Sequence, residues 1–329
     1  MANLRQIFED FNTLNILIVG DVMLDSYIWG AVERISPEAP VPIVNVKKRD
    51  VRLGGAANVA LNVQALGAKP ILVALCGDDD AGKRLKQIIS DQKLSTEGIV
   101  VSAARPTTVK TRVIASSQHI VRVDDESDKA SSAEEEKELL KKIEKLLPSC
   151  QAVIFEDYDK GVLSATLIEQ TVTLAQKHGT PTIVDPKKRN FLSYKQVTLF
   201  KPNLKEMREG LKIELEAGNL SQLETAINLL KDKLNVEGVM ATLSEHGVYI
   251  DYQNEKVKLP AHTRQIADVS GAGDTVVSIA ALCVALKLSP GLIAGLSNLG
   301  GGLVCQYVGV VPIDKDELLE EAQKVGTLV

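Results

Sequence analysis

Asn15-Ile-Leu-Ile-Val-Gly20 is a short, unbroken apolar run closed by glycine, and it is the first of a series. Pro70-Ile-Leu-Val-Ala-Leu75, Ala152-Val-Ile-Phe155, Thr182-Ile-Val-Asp185, Val197-Thr-Leu-Phe200 and Val239-Met-Ala-Thr-Leu243 repeat the pattern. A strand that is apolar on both faces is covered on both faces, the usual state of a strand in a parallel sheet. Segments with helical character lie between the runs, at 57–66 (stopped by Gly67), 82–91, 133–147, 164–177, 204–210 and 221–234. Strands and helices in alternation predict an α/β fold, a mostly parallel sheet flanked by helices. With 329 residues the chain can bury a full core as one large domain, so 1–329 is expected to form a single domain.

Two stretches break the rhythm, at about 26–53 and 107–123. They contain Ile43-Val-Asn-Val46, Val109-Lys-Thr-Arg-Val-Ile114 and His119-Ile-Val-Arg-Val123. Alternation of this kind predicts strands with one exposed face. A small antiparallel sheet set off from the main one is expected. Such a sheet either covers a site or pairs with a copy of itself, so a β lid and a homodimer through it are expected.

Composition excludes several classes of function. The net charge of −5 offers no polyanion surface, and aromatics at 4% leave little for base stacking, so no nucleic-acid partner is expected. Cys76, Cys150, Cys283 and Cys305 are far apart, and His119, His178, His246 and His262 are equally scattered. Neither a disulfide frame nor a zinc site is expected. The polar, acidic first ten residues do not resemble a signal or transit peptide, and the longest apolar run, 276–286, is too short to span a bilayer. A cytoplasmic protein with no membrane partner is expected. The charge run at 124–145 is a solvated face, with Ser132 and Glu135 spaced as a capping box.

Two nucleotide motifs fail. Gly77-Asp-Asp-Asp-Ala-Gly82-Lys83 matches the start of a P-loop, but Arg84 stands where Ser or Thr must hold Mg²⁺, and three aspartates would repel phosphate. The stretch reads instead as an Asp-capped turn from strand to helix. Gly271-Ala272-Gly273 has Val276 where a dinucleotide fingerprint needs its third glycine.

Asp268-Val269-Ser270-Gly271-Ala272-Gly273-Asp274 opens a long apolar helix that runs to about Leu286. A helix N-terminus offers unpaired N–H groups to an anion, and glycine lets the backbone come close. An aspartate beside such an anion repels it, so Asp274 is better suited to take a proton from a group attacking a phosphate. The ordinary alternative, an acidic dipole partner in a first helical turn, stays open on this stretch alone.

Other segments narrow the choice. Gly20-Asp21-Val-Met-Leu-Asp25 follows the first strand, and Gly54-Gly55-Ala-Ala-Asn58 leads a helix. Asn203-Leu204-Lys205-Glu206 follows Pro202, and Thr242-Leu-Ser244-Glu-His-Gly247 follows a late strand. Taken in order with the Asp274 stretch, these resemble the ribokinase-like (PfkB-type) carbohydrate kinases over nearly the whole chain. Within that family, Arg34-Ile-Ser-Pro-Glu-Ala-Pro-Val-Pro42, the 54–62 stretch, Asp157-Tyr-x-Lys160-Gly161 and Asp185-Pro-Lys187 resemble the kinases of D-glycero-β-D-manno-heptose 7-phosphate.

The resemblance implies ATP-dependent phosphorylation at the anomeric hydroxyl, for ADP-heptose and lipopolysaccharide core synthesis. It implies Asp274 as base and the amides of Gly271, Ala272 and Gly273 as anion hole. It places Asn203, Leu204, Lys205, Glu206, Thr242, Ser244, Gly247 and Asn298 on the ATP side, with Asn203 and Glu206 organising hydrated Mg²⁺. Asp25, Gly54, Gly55 and Asn58 form the implied sugar set; by spacing alone they also fit a strand-end turn and a helix N-cap. Lys187, Lys188 and Arg189 are candidates for the distal phosphate, with Arg112 and Lys160 as alternates. Asp268 and Ser270 resemble positions that hold a monovalent cation such as K⁺ in some relatives.

Three positions depart from the family pattern: Ser270 where Thr is usual, Lys201 where a small residue is usual, and Glu156 in place of Ser. Lys201 adds charge near the nucleotide side and Glu156 near the sugar side, which bears on specificity. Many heptose kinases are fused to a nucleotidyltransferase with a His-x-Gly-His motif. No histidine here begins one, so the kinase alone is expected, with a separate nucleotidyltransferase as pathway partner. The rivals are another sugar kinase (ribokinase, fructokinase or phosphofructokinase-like) and a non-catalytic sensor on the same fold.

Overall fold

The computed structural model describes residues 3–115, 118–216, 218–262 and 265–326. Its strands are β1 (Asn15–Gly20), β2 (Val22–Ile35), β3 (Pro42–Gly55), β4 (Lys69–Gly77), β5 (Ile99–Ser102), β6 (Val109–Ala115) and β7 (Gln118–Asp125). They continue as β8 (Ala152–Glu156), β9 (Thr182–Asp185), β10 (Leu199–Phe200), β11 (Gly238–Thr242), β12 (Val248–Tyr252) and β13 (Glu255–Leu259). Nine of them form one sheet in the order β13-β12-β11-β10-β9-β8-β1-β4-β5, parallel except for the two edge pairings of β11–β12 and β12–β13. This is the expected α/β architecture.

The sheet is buried on both faces, as its apolar strands predict. Along β1, Ile16 and Ile18 join one core cluster while Leu17 and Val19 join the other. The first core is filled by two apolar helices, Ala272–Ala285 and Pro290–Val304. They meet at glycine: a Cβ on Gly300 would lie 2.2 Å from Ile279 Cδ1, and one on Gly301 would lie 2.7 Å from Val276 Cγ2. β10 is shorter than the run 197–200 suggests. Thr182 and Thr198 exchange amide-to-hydroxyl bonds there, at 3.1 and 3.2 Å, beside the backbone bond from Thr198 N to Thr182 O at 3.0 Å.

The remaining four strands form a second sheet, the one expected as a lid, in the order β3-β2-β6-β7. It differs from expectation in two ways. The sheet is mixed, because β2 and β6 run parallel: both leave the main sheet in the same direction. The β2–β3 hairpin also reaches past 26–53 at both ends, so Asp25, Gly54 and Gly55 sit in paired strands at the root of the lid and not in turns. Buried Val22, Met23 and Leu24 extend the pairing inward. Positions 116 and 117 of the expected 107–123 segment lie outside the described residues. The capping box of Ser132 and Glu135 forms as the spacing predicts, and Asp79 caps the helix after β4 through the amide of Gly82 at 2.6 Å.

Candidate active site

The carboxyl ends of β1, β8, β9 and β11 converge on one edge of the sheet, where open α/β folds bind ligands. A cleft of about 930 Å³ opens there, between the helix that starts at Ala272 and the loops after β9, β10 and β11.

Asp274 lies on the cleft wall and is 4% exposed. Gly271 caps its helix at φ +81°, a left-handed conformation suited to glycine. Asn58 Nδ2 donates to one carboxylate oxygen at 2.7 Å, and the Tyr158 hydroxyl donates to the other at 2.8 Å. Burial pushes the Asp274 carboxyl up to about 6; Asp185 adds to the rise, while the two hydrogen bonds and Lys187 oppose it. Of the implied anion hole, the Ala272 amide already turns back to Val269 O at 3.3 Å.

Beneath the helix start lies a buried charge network. Lys201 Nζ sits 2.9 Å from Asp185, and Lys187 Nζ lies 3.5 Å from Asp185 and 2.7 Å from Glu206. A Cβ on Gly273 would come within 3.3 Å of the Asp185 carboxylate and 3.7 Å of Lys201 Nζ, so glycine brings the turn down onto these charges. Glu156 is wholly buried and neither of its oxygens has a partner. Burial raises its carboxyl well above the usual range, and Asp185 and Asp274 raise it further. Its carboxyl faces Asp185, Asp274, Lys187 and Lys201.

Asn203 and Glu206 form a reciprocal capping box beside the cleft. Asn203 accepts from the Glu206 amide at 2.9 Å, and Glu206 accepts from the Asn203 amide at 2.8 Å. Glu206 thereby holds one oxygen to backbone and the other to Lys187. Each oxygen keeps a lone pair, which suits a water in the shell of a hydrated Mg²⁺ better than direct ligation. Thr242 bridges Asn203, and Leu204, Lys205, Ser244 and Gly247 border the same cleft. Asn298 also borders it, donating to Pro260 O at 2.8 Å.

Among the implied sugar set, Asp25 pairs with Arg112 across the root of the lid. A Cβ on Gly54 would lie 2.1 Å from the Asp25 carboxylate, which explains glycine there. Gly55 turns the chain into the helix Ala56–Ala65 at φ +60°, and Asn58 lies inside that helix rather than capping it. Asn58 Oδ1 is buried with no partner, an acceptor left over for a ligand hydroxyl.

The other cation candidates separate. Lys187 enters the cleft, where it pairs with Asp185 and Glu206. Lys188 is 72% exposed and 4.0 Å from Glu209, and Arg189 is spent on Asp128 at 3.0 Å; the structure brings neither to the cleft. Lys160 is held by Glu126 at 2.7 Å. Asp268 accepts from Ser270 N, Ser270 Oγ and Gly309 N, closing a turn against the root of the lid. Tyr158 was legible only as part of a motif: its contact with Asp274 spans 116 residues, and nothing local signals it.

Residues 13–317 match the pfkB family carbohydrate kinase profile. The chain belongs to the pfkB family. Among its relatives, bifunctional protein HldE of Caulobacter vibrioides is 41% identical over 304 residues, covering 92% of this chain and 62% of the relative. That of Desulfatibacillum aliphaticivorans is 38% identical over 314 residues, covering 95% and 64%. The chain thus spans less than two thirds of these bifunctional relatives. Two solved pfkB-like structures share the fold. Phosphofructokinase-2 from Escherichia coli in complex with potassium has a TM-score of 0.78 at 18% identity, covering 95% of this chain and 99% of that one. Ribokinase from Arabidopsis thaliana complexed with ribose and ATP has a TM-score of 0.72 at 19% identity, covering 93% and 99%.

Proposed function

We propose that this pfkB-family chain transfers the γ-phosphoryl group of ATP to the anomeric hydroxyl of D-glycero-β-D-manno-heptose 7-phosphate, giving the 1,7-bisphosphate. One observation carries the kinase reading: a buried carboxylate at a glycine-led helix start, held on both oxygens, between a sugar-side pair and a triphosphate-side cation network. The HldE relatives, aligned along nearly all of this chain, and the heptose-kinase motifs support the choice of sugar.

Asp274 takes the proton of the anomeric hydroxyl as its oxygen bonds to the γ-phosphorus and the bond to the ADP oxygen breaks. Asp25 and Asn58 orient the sugar, and Arg112 is the cation nearest to hand for its distal phosphate. Lys187 faces the phosphoryl groups. Bound through waters beside Asn203 and Glu206, Mg²⁺ would supply charge neutralisation across the phosphates. The lid excludes water from the transfer. Asp268 and Ser270 are the proposed site for K⁺.

The base must be ionised, so kcat/KM is expected to rise with pH through about 6, where Asp274 loses its proton. A pH–rate profile flat from 5 to 8 would remove Asp274 from that role.

The lid's outer face carries Val121 and Val123, 49% and 56% exposed, with Val113 in register beside them. This apolar face fits a second copy of the chain. A homodimer is expected in light scattering, and a single-protomer mass at working concentration counts against it.

The substrate is tested by comparing kcat/KM for heptose 7-phosphate, fructose 6-phosphate, ribose and fructose. Strong preference for the heptose phosphate supports the proposal; turnover of another sugar alone keeps the kinase and discards the heptose. Turnover of none favours a sensor.

A further inference from the structure

The loop that leaves β8, Asp157-Tyr158-Asp159-Lys160-Gly161, is tied down on every side. Buried Asp21, at the end of β1, accepts from the amides of Tyr158, Lys160 and Val162 at 2.8, 3.0 and 3.1 Å. Asp157 accepts from the Asp159 amide at 2.8 Å and from the Tyr194 hydroxyl at 2.6 Å. Gly161, at φ +87°, lies so close to the strap after the lid that a Cβ there would stand 1.9 Å from Lys129 O. The loop therefore has one course, and it aims the Tyr158 phenol at Asp274. Lys187 Nζ, 5.3 Å from the ring centroid, holds the ring further.

We propose that Tyr158 is a positioning residue for the base: its hydroxyl fixes one oxygen of Asp274 as Asn58 fixes the other, so that a lone pair stays turned toward the incoming sugar hydroxyl. This rests on the kinase reading above. Each carboxylate oxygen has two lone pairs, and one donor on each leaves one free for the proton. The phenol remains a donor, because burial and the neighbouring carboxylates of Asp274, Glu156 and Asp185 push its own ionisation well above the ordinary value. A donor favours the ionised carboxylate, so its removal raises the pH at which Asp274 becomes a base. The other titratable groups facing Asp274, those of Asp185, Glu156 and Lys187, are untouched by the change.

The test is Tyr158→Phe, which keeps the ring and every backbone clamp of the loop. The titration of Asp274 is followed by NMR of protein labelled with ¹³C at the aspartate carboxyls, its signal assigned by its absence in Asp274→Asn. The expected result is an upward move of the Asp274 midpoint by about one pH unit, with the acid limb of kcat/KM moving alike and activity at pH 6 falling roughly fivefold. An unmoved midpoint in a variant with the wild-type thermal transition overturns the proposal. Should wild-type protein phosphorylate no sugar, the kinase reading falls, and the NMR midpoint still decides whether Tyr158 holds Asp274.

Discussion

Asp274→Asn is expected to lower turnover at least ~10²-fold while ATP still binds, the scale of a lost general base. The substitution keeps shape and volume, and the nucleotide side of the cleft is built from other residues, so binding of ATP survives. Stability separates this from a structural effect. The carboxyl's folded-state value is raised, from 3.8 to about 6. Its contribution to stability is therefore fully present below pH 3.8 and is lost as pH rises through 6. Above pH 6 the wild-type fold carries a buried carboxylate at a cost, and the amide relieves it. At pH 8 the variant is expected to match or exceed wild-type stability, by up to about 3 kcal/mol. An inactive protein that unfolds no earlier than wild type is the signature of a residue kept for chemistry. Near-normal turnover removes Asp274 from its role.

Lys201→Met is expected to destabilise the fold by about 3–5 kcal/mol at pH 7, because it strips Asp185 of its closest partner in the interior. Both side chains are nearly inaccessible, at 2% and 5%, so solvent cannot stand in for the lost cation. Lys187 remains at 3.5 Å but is shared with Glu206. Asp185 has a lowered folded-state value: burial raises it, but Lys187 and Lys201 together outweigh burial. Stability from this pairing is thus present above the ordinary aspartate range and is lost as pH falls through the depressed value. The double variant Lys201→Met with Asp185→Asn leaves no stranded charge and is expected to recover much of the loss in urea unfolding. A single variant as stable as wild type contradicts the buried pairing.

The main sheet was legible because its strands are apolar on both faces, a signal that survives without neighbours. The edge hairpin of β12 and β13 was not. Its two-residue turn, Gln253-Asn254, takes φ of +52° and +63° without the glycine that usually marks such a turn. The root of the lid was misjudged for a similar reason: Gly54 and Gly55 look like turn residues, yet Gly54 is glycine because the Asp25 carboxylate occupies the space of its side chain. At the site, Asp274 stood out because a local pattern of glycines and helix start surrounds it. Tyr158 and Asp21 did not, because their roles exist only where distant strands end side by side. Lys188 and Arg189 looked like a phosphate site because three adjacent cations follow a strand; only Lys187 turns inward, drawn by Asp185 and Glu206. A run of charges does not reveal which member faces the cleft.

Phosphorus NMR of the protein with ATP, Mg²⁺ and heptose 7-phosphate tests phosphoryl transfer to this sugar most directly. The expected spectrum gains one new phosphate on the anomeric carbon for each ADP formed, while the 7-phosphate signal persists. ADP formed with inorganic phosphate and no second sugar phosphate, or a new ester on any other carbon, contradicts it.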